Sequence, residues 1–330
     1  MKQPLEIGGQ VIPPGKRQHL ELPVSHLPTQ TILSLPVIAV NGKRDGPKLW
    51  LSAAIHGDEI NGVEIIRQVL GKVKPYRLRG AIIAVPIVNI FGFLEQSRYL
   101  PDRRDLNRSF PGTRHGSLAA RLANLFLKEI VSRCTHGIDL HTAALPRVNL
   151  PQIRANLEDA ETYRCARAFG APVMIQATVR DGSLRQAASK HGIPVLLYEA
   201  GEALRFDAEA IRVGVEGIFR VMDCLEMYAL PFESELTIPL EVNTTKWVRA
   251  SRSGILHLTV KLGERVTKKQ VLGTITDAFG DTSTKVRASV EGMVIGHVQN
   301  PLINQGDGLV HLAVLSSAAH HRQNIFQAGE

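Results

Sequence analysis

Apolar and polar residues alternate along the first two-thirds of the chain in two rhythms, one of strands and one of helices. Residues 32–40 (ILSLPVIAV) are β-branched and apolar and stop at Asn41-Gly42; residues 48–55 (KLWLSAAI) resume after Asp45-Gly46-Pro47. Two strands separated by a turn region are the natural reading. From Gly62 onward, Val63, Ile66, Val69 and Leu70 recur at helical spacing. Residues 80–88 (GAIIAVPIV) are apolar almost throughout, which predicts a strand buried on both faces. Residues 89–112 carry little regular pattern, and so long a loop in a compact domain is usually functional. Residues 117–134 predict an amphipathic helix with Ser117 as N-cap. Short strands are expected at 137–143 and 172–178, a helix at 182–192 closed by Gly192, and a buried strand at 193–201. A long helix capped by Asp207 is expected at 207–228.

Strands alternating with helices predict an α/β fold whose mixed, largely parallel sheet is covered by helices on both faces. Beyond Pro231 the pattern changes. Short β-rich runs sit between glycines, as in 246–260, 270–275, 286–298 and 308–315, and predict a small C-terminal all-β, barrel-like domain. The expected boundaries are 1–232 and 233–330, with the tail from Ser316 expected to fray.

Composition narrows the class. The chain has 330 residues, 44% of them hydrophobic, enough for one large core or a large and a small domain. It holds no run of 18 apolar residues, and its first residues lack the apolar core of a signal peptide, so no membrane partner is expected. Cys134, Cys165 and Cys224 are odd in number and lack CxxC spacing, which fits a reducing compartment and a cytoplasmic location. The net charge of +8 would suit nucleic acid, but no dense basic block with interleaved aromatics is present, and nucleic acid is not expected as a partner. The densest basic stretch, 97–110, sets Arg98, Arg103, Arg104 and Arg108 among Asp102 and Asp105. Such a mixture suits a small anionic substrate drawn into a positive cleft. A solvated surface is the plainer role for Arg103 and Arg104.

Three predicted strand ends bear polar, metal-capable residues. His56 and Glu59 follow the strand at 48–55, His141 ends the strand at 137–143, and Glu199 ends the strand at 193–201. Open α/β sheets place their sites along this edge. Each residue alone has a plain explanation: a hydrogen-bonded core histidine, a chance HxxE pair on a helix, a capping or salt-bridged glutamate. Together they match a catalytic zinc shell of two histidines and one carboxylate with a fourth position open to water. A further carboxylate nearby could take that water's proton. Gly57 in HGDE would let the backbone turn sharply, and Asp139 in DLHT is a candidate acceptor for a ligand histidine.

The motifs HGDE (56–59), DLNRSFPG (105–112), DLHT (139–142) and YEAG (198–201), in this order, resemble those of the succinylglutamate desuccinylase/aspartoacylase family, a branch of the zinc carboxypeptidase superfamily. The resemblance spans roughly residues 30–230 and implies a zinc-carboxypeptidase-like sheet. It implies one Zn2+ per chain held by His56, Glu59 and His141, with Glu199 as the general base that activates the zinc-bound water. It assigns Asn107 and Arg108 to the substrate carboxylate. It assigns an upstream arginine to the scissile carbonyl and its oxyanion; Arg98 fits that place, with Arg104 as the alternative. The C-terminal runs 260–275 and 286–298 resemble biotinyl/lipoyl-type barrels, but the intervening 277–285 (DAFGDTSTK) lacks the Met-Lys hairpin of such carriers, so a structural role is expected.

The implied activity is zinc-dependent amide hydrolysis, a deacylase acting on a small carboxylate-bearing N-acyl amino acid. A non-catalytic zinc-containing metabolite-binding protein and a carboxypeptidase on small peptides are the alternatives, and a homo-oligomer is compatible with each.

Overall fold

In a computed structural model, which describes residues 2–233 and 238–315, the chain opens with a small hairpin, β1 (Leu5–Ile7) and β2 (Gln10–Ile12). Then come β3 (Lys16–His26), β4 (Ile32–Asn41), β5 (Arg44–Ala53), α1 (Asn61–Lys72), β6 (Arg79–Val85) and the short α2 (Ile90–Leu94). A 3-10 turn at Leu106–Arg108 precedes α3 (Leu118–Glu129), β7 (His136–Ala143), β8 (Arg147–Ala155), α4 (Ala160–Phe169) and β9 (Val173–Gln176). The first region closes with α5 (Leu184–Ser189), β10 (Val195–Glu202) and α6 (Ala208–Cys224). The remaining strands are β11 (Leu240–Val242), β12 (Thr245–Arg249), β13 (Gly254–Leu258), β14 (Arg265–Val266), β15 (Val271–Thr276), β16 (Ser283–Arg287), β17 (Gly292–Val298), β18 (Leu302–Ile303) and β19 (Gly308–Val314).

A 13-stranded mixed sheet organises the molecule, with the path β12-β19-β17-β8-β10-β7-β5-β6-β4-β3. Parallel pairing is confined to β10-β7-β5-β6 and to β8-β9-β11; the other pairs are antiparallel. The sheet is mixed, as expected, but not largely parallel: most of its strand pairs are antiparallel, and the parallel ones hold its centre and the β8-β9-β11 branch. That centre is where crossover helices return the chain to the same edge. Alternate residues face opposite layers. Leu49, Leu51 and Ala53 of β5 join the core under α1, α4 and α6, whereas Trp50 joins the core under α3. Helices thus cover both faces, as the continuous apolar runs require.

The expected helix caps are present: Ser117 accepts from the Ala120 amide and Asp207 from the Ala210 amide. Three features escape the pattern. β4 and β5 flank the turn region but do not pair, because β6 inserts between them. β8 and α4 fill the stretch between the strand at His141 and β9, where Pro151 breaks the alternation that would mark a strand. The N-terminal β3 extends the sheet beyond β4.

The C-terminal strands form two layers, β16-β15-β13-β18 and β12-β19-β17, which enclose a core of Leu256, Leu272, Ile275, Val294, Leu309 and Leu312. The second layer continues the main sheet, because β17 pairs with β8 at Gly296↔Asn149. Lys285 lies within β16, paired with Thr274, and the hairpin tip at 277–282 contains Phe279 but no lysine. No helix among the described residues is long and apolar enough to cross a membrane. The expectation for the tail from Ser316 lies outside the described residues.

Phe169 ends α4 with its ring 5.1 Å from that of Tyr198 and closes against Gly217 of α6. It is fully buried, so Phe169→Ala should cost about 3–5 kcal/mol. The urea unfolding midpoint measures this loss.

Candidate metal centre and its cavity

The sheet order brings the predicted residues together. β5 and β7 are parallel neighbours, so the segment after Ala53 and the end of β7 meet at one edge. His56 Nδ1 lies 2.7 Å from Glu59 Oε1, and His141 Nδ1 lies 2.8 Å from Glu59 Oε2. All three side chains are buried, and one ligand atom from each lies within 4.8 Å of the others. Two imidazole nitrogens and a carboxylate oxygen form a donor set suited to zinc.

The supporting groups orient these donors. His141 Nε2 is 2.8 Å from Asp139 Oδ2, whose other oxygen accepts from the Ser52 hydroxyl at 2.7 Å. Ser52 in turn accepts from the Trp50 indole at 3.3 Å. This chain holds Nδ1 of His141 toward Glu59, which leaves that nitrogen as the donor for a metal. Nε2 of His56 is buried 3.3 Å from Asp105 Oδ1, within ion-pair reach but out of line for a hydrogen bond.

Charge follows from this crowding. Burial alone would raise the pKa of Glu59, but His56 and His141 outweigh it and hold the carboxyl well below its usual range. Burial would likewise lower both histidines, but Glu59 and Asp105 raise His56, and Asp139 and Glu59 raise His141. Carboxylate and imidazoles thus favour each other's charged forms, and a metal cation bound among them would take over the role of the imidazole protons.

The backbone here differs from the sequence expectation in one respect. The chain turns at Ala54, in the left-handed region at φ 48°, rather than at Gly57. Gly57 is required by proximity: a Cβ there would stand 1.9 Å from the carbonyl carbon of Gly92. The amides of Val88 and Asn89 bond to the carbonyls of Ala53 and Ala54, so the loop carrying Arg98 is fastened onto the HGDE turn.

Asp105 organises the DLNR motif. Its Oδ1 accepts from the Asn107 amide at 2.8 Å and caps the 3-10 turn, while its Oδ2 binds Arg98 Nη2 at 2.9 Å. Arg98 Nη1 lies 3.4 Å from Glu59 Oε1, which places Arg98 at the cluster. Burial disfavours the Arg98 charge, yet Asp105 and Glu59 together raise its pKa. Arg104 is exposed and engaged with Ser117 and Asp102 outside the cavity. Asn107 Oδ1 accepts from the Leu184 amide at 2.9 Å, which leaves its amide N–H groups for another partner. Glu199 is paired in register with His141 on the adjacent strand and accepts from Asn149 Nδ2 at 2.9 Å.

His56, Glu59, Arg98, Asn107, Arg108, His141 and Glu199 line one cavity of about 770 Å³. Its wall also contains Arg147 and Arg154 of β8, Arg180 and Arg185 around α5, and Trp247 and His311 from the C-terminal strands. None of these was identified from the sequence. β8 was concealed by Pro151, and Trp247, one of only two tryptophans, was the available signal in the C-terminal region. A second grouping, His136, Glu161 and Cys165, lies apart from this cavity, and its glutamate is already gripped by two nitrogens of Arg164.

Known proteins share this architecture. The family model for the succinylglutamate desuccinylase/aspartoacylase catalytic domain matches residues 45–225. The N-alpha-acetyl-L-2,4-diaminobutyric acid deacetylase of Halomonas elongata is 28% identical over 311 residues, covering 89% of this chain and 90% of that protein. A succinylglutamate desuccinylase/aspartoacylase structure from Rhodobacter sphaeroides superposes with a TM-score of 0.81 at 25% identity, over 91% of this chain and 96% of that one. The ectoine utilization protein EutE (DoeB) of Ruegeria pomeroyi, in a product-bound structure, has the same fold, with a TM-score of 0.82 at 23% identity over 96% and 100% of the two chains.

Because Asp139 orients His141, Asp139→Asn should weaken divalent-metal affinity by about 10–100-fold. Competition against a chromogenic chelator measures it; unchanged affinity would show that Asp139 does not support a ligand.

Proposed function

The chain belongs to the succinylglutamate desuccinylase/aspartoacylase family, and from this premise we propose that it is a zinc-dependent hydrolase cleaving the amide bond of a small N-acyl amino acid. The observation that carries the reading is the convergence of His56, Glu59 and His141 at the sheet edge, with Glu199 in register on the next strand. His56, Glu59 and His141 would hold the metal, and the nitrogen, nitrogen and oxygen donors fit it. Zinc supplies a Lewis acid there, able to bring the pKa of water to about 7.

The protein groups then have distinct tasks. Glu199, steadied by Asn149, accepts the proton of the attacking water as the carbon–oxygen bond forms. It returns that proton to the amine as the carbon–nitrogen bond breaks. Arg98, anchored by Asp105, donates to the carbonyl oxygen as negative charge develops on it. Arg108 and the free amide N–H groups of Asn107 hold the substrate carboxylate, a planar match for the guanidinium. The products are a carboxylic acid and a free amino acid.

In this reading residues 1–232 carry the chemistry, and residues 233–330 wall the cavity with Trp247 and His311. Three free cysteines, two of them buried, accord with action in the cytoplasm.

Glu199→Gln should lower kcat by about 10²–10⁴-fold while zinc stays at one per chain, because the residue moves a proton and holds no metal. Primary-amine release from N-acyl amino acids, with metal content measured on the same samples, tests this. Full turnover in the variant would overturn the assignment of Glu199 as base.

A further inference from the structure

A base held by one hydrogen bond is only as well placed as its donor. Glu199 Oε2 accepts from Asn149 Nδ2 at 2.9 Å, while Oε1 receives no hydrogen bond from the described residues, Arg154 approaching it only to 4.0 Å. Asn149 is buried on β8, and a regular strand there would not present it to Glu199. Asn149 and Arg154 both line the cavity although an odd number of positions separates them, and the alternation of a regular strand would turn them to opposite faces. A bulge removes the conflict. Between the pairs Glu199↔Gln152 and Gly201↔Asn149, Leu150 and Pro151 of β8 stand against Ala200 alone. The extra residue turns Asn149 onto the face of Glu199.

A second bulge lies directly beside the first. Gly296 of β17 pairs with Asn149 on one side and with His311 on the other. Val294 pairs with Leu312, the neighbour of His311, so Ile295 has no counterpart on β19. The two bulges are joined by a side chain: Gln152, opposite Glu199 on β8, donates from Nε2 to the Ile295 carbonyl at 3.2 Å. Gly296 also leaves the space that the Asn149 amide fills. A Cβ there would stand 2.7 Å from Asn149 Oδ1 and 3.1 Å from the Val148 carbonyl oxygen. With its oxygen against Gly296, the amide presents its N–H to Glu199. An ionised carboxylate only accepts, so the reversed amide would set two acceptors against each other.

Building on the reading of Glu199 as base, we propose that Asn149 is its positioning residue and that Gly296 is the part of the C-terminal strands that keeps Asn149 in place. Those strands then do more than wall the cavity: through one glycine they set the orientation of a carboxylate on β10. The bulges on β8 and β17 serve one purpose, to bring a side-chain donor across two strand boundaries onto Glu199. A carboxylate released from that donor rotates away from the attacking water for part of the time. Turnover then falls while substrate binding, which rests on other residues, stays as it was.

The test compares zinc-loaded wild type, Asn149→Ala, Asn149→Asp and Gly296→Ala on N-acetyl-aspartate, N-succinyl-glutamate and Nα-acetyl-2,4-diaminobutyrate, using whichever the wild type cleaves fastest. Each variant should lower kcat by about 10–100-fold with KM and zinc content unchanged. Asn149→Asp keeps the shape of the side chain and loses the donor, so full kcat in that variant would overturn the role of Asn149. In the Glu199→Gln background, Asn149→Ala and Gly296→Ala should cause no further loss; a loss as large as in the wild-type background would show that they do not act through Glu199. Crystal structures of wild type and Gly296→Ala need no turnover. The distance from Asn149 Nδ2 to Glu199 Oε2 should rise from 2.9 Å to beyond about 3.5 Å, and an unchanged contact would overturn the part given to Gly296. Should Gly296→Ala fold poorly, adding Asn149→Ala removes the crowded oxygen and should raise its melting temperature; a further fall would overturn the coupling. No turnover of any compound by the wild type would sink the hydrolase reading, while the two structures would still decide whether Gly296 holds Asn149 against Glu199.

Discussion

A carboxylate cannot stay ionised in a protein interior unless donors or cations replace its water. Glu59 is in that position. It is almost fully buried, and the groups that compensate it come from three separate segments: His56 from its own turn, His141 and the Thr142 amide from β7, and Arg98 from the long loop. Removing one partner would leave the rest of the cluster with an uncompensated charge. This mutual dependence makes the end of β5, the end of β7 and the loop at 89–112 a single unit.

Further fastenings radiate from this unit. Asp105 joins Arg98 to the 3-10 turn that presents Asn107 and Arg108. Asn61, at the start of α1, accepts from the Asp207 amide and donates to the Ala200 carbonyl, so the turn that bears His56 and Glu59 is tied to the strand that bears Glu199. A proposed base beside a proposed metal centre is useful only if their spacing is preserved, and these two contacts of the Asn61 amide help to preserve it. The far wall of the cavity is set by a different means. Its arginines sit on β8 and around α5, and its aromatic stack comes from strands that continue the main sheet beyond β8. The C-terminal strands therefore take part in the cavity although they contribute nothing to the Glu59 cluster.

The candidate site was legible because chemistry-bearing residues stood at the ends of clearly apolar runs. His56, Glu59, His141 and Glu199 each follow such a run, and a parallel sheet collects such ends on one edge. The sequence favoured Arg98 and kept Arg104 as the alternative, since both lie in one polar loop; that Arg98 pairs with Asp105 and Glu59 while Arg104 is exposed is visible only in three dimensions. The role of Gly57 was misread for a related reason. A glycine in a turn suggests a positive φ, whereas here it makes room for the backbone of Gly92, more than thirty positions away.

Most strands and helices of the first two-thirds and the caps at Ser117 and Asp207 were legible in the sequence, because each depends on side-chain periodicity and on hydrogen bonds within a few residues; β3, β8 and α4 were not. The four motifs were likewise sequence properties. Neighbourhood was not. That β6 separates β4 from β5, that β17 pairs with β8, and that six arginines from distant segments face one cavity are consequences of strand order and register. Those are settled by how apolar faces pack across the whole sheet, an energy shared among residues far apart in the chain and visible in no short stretch of it.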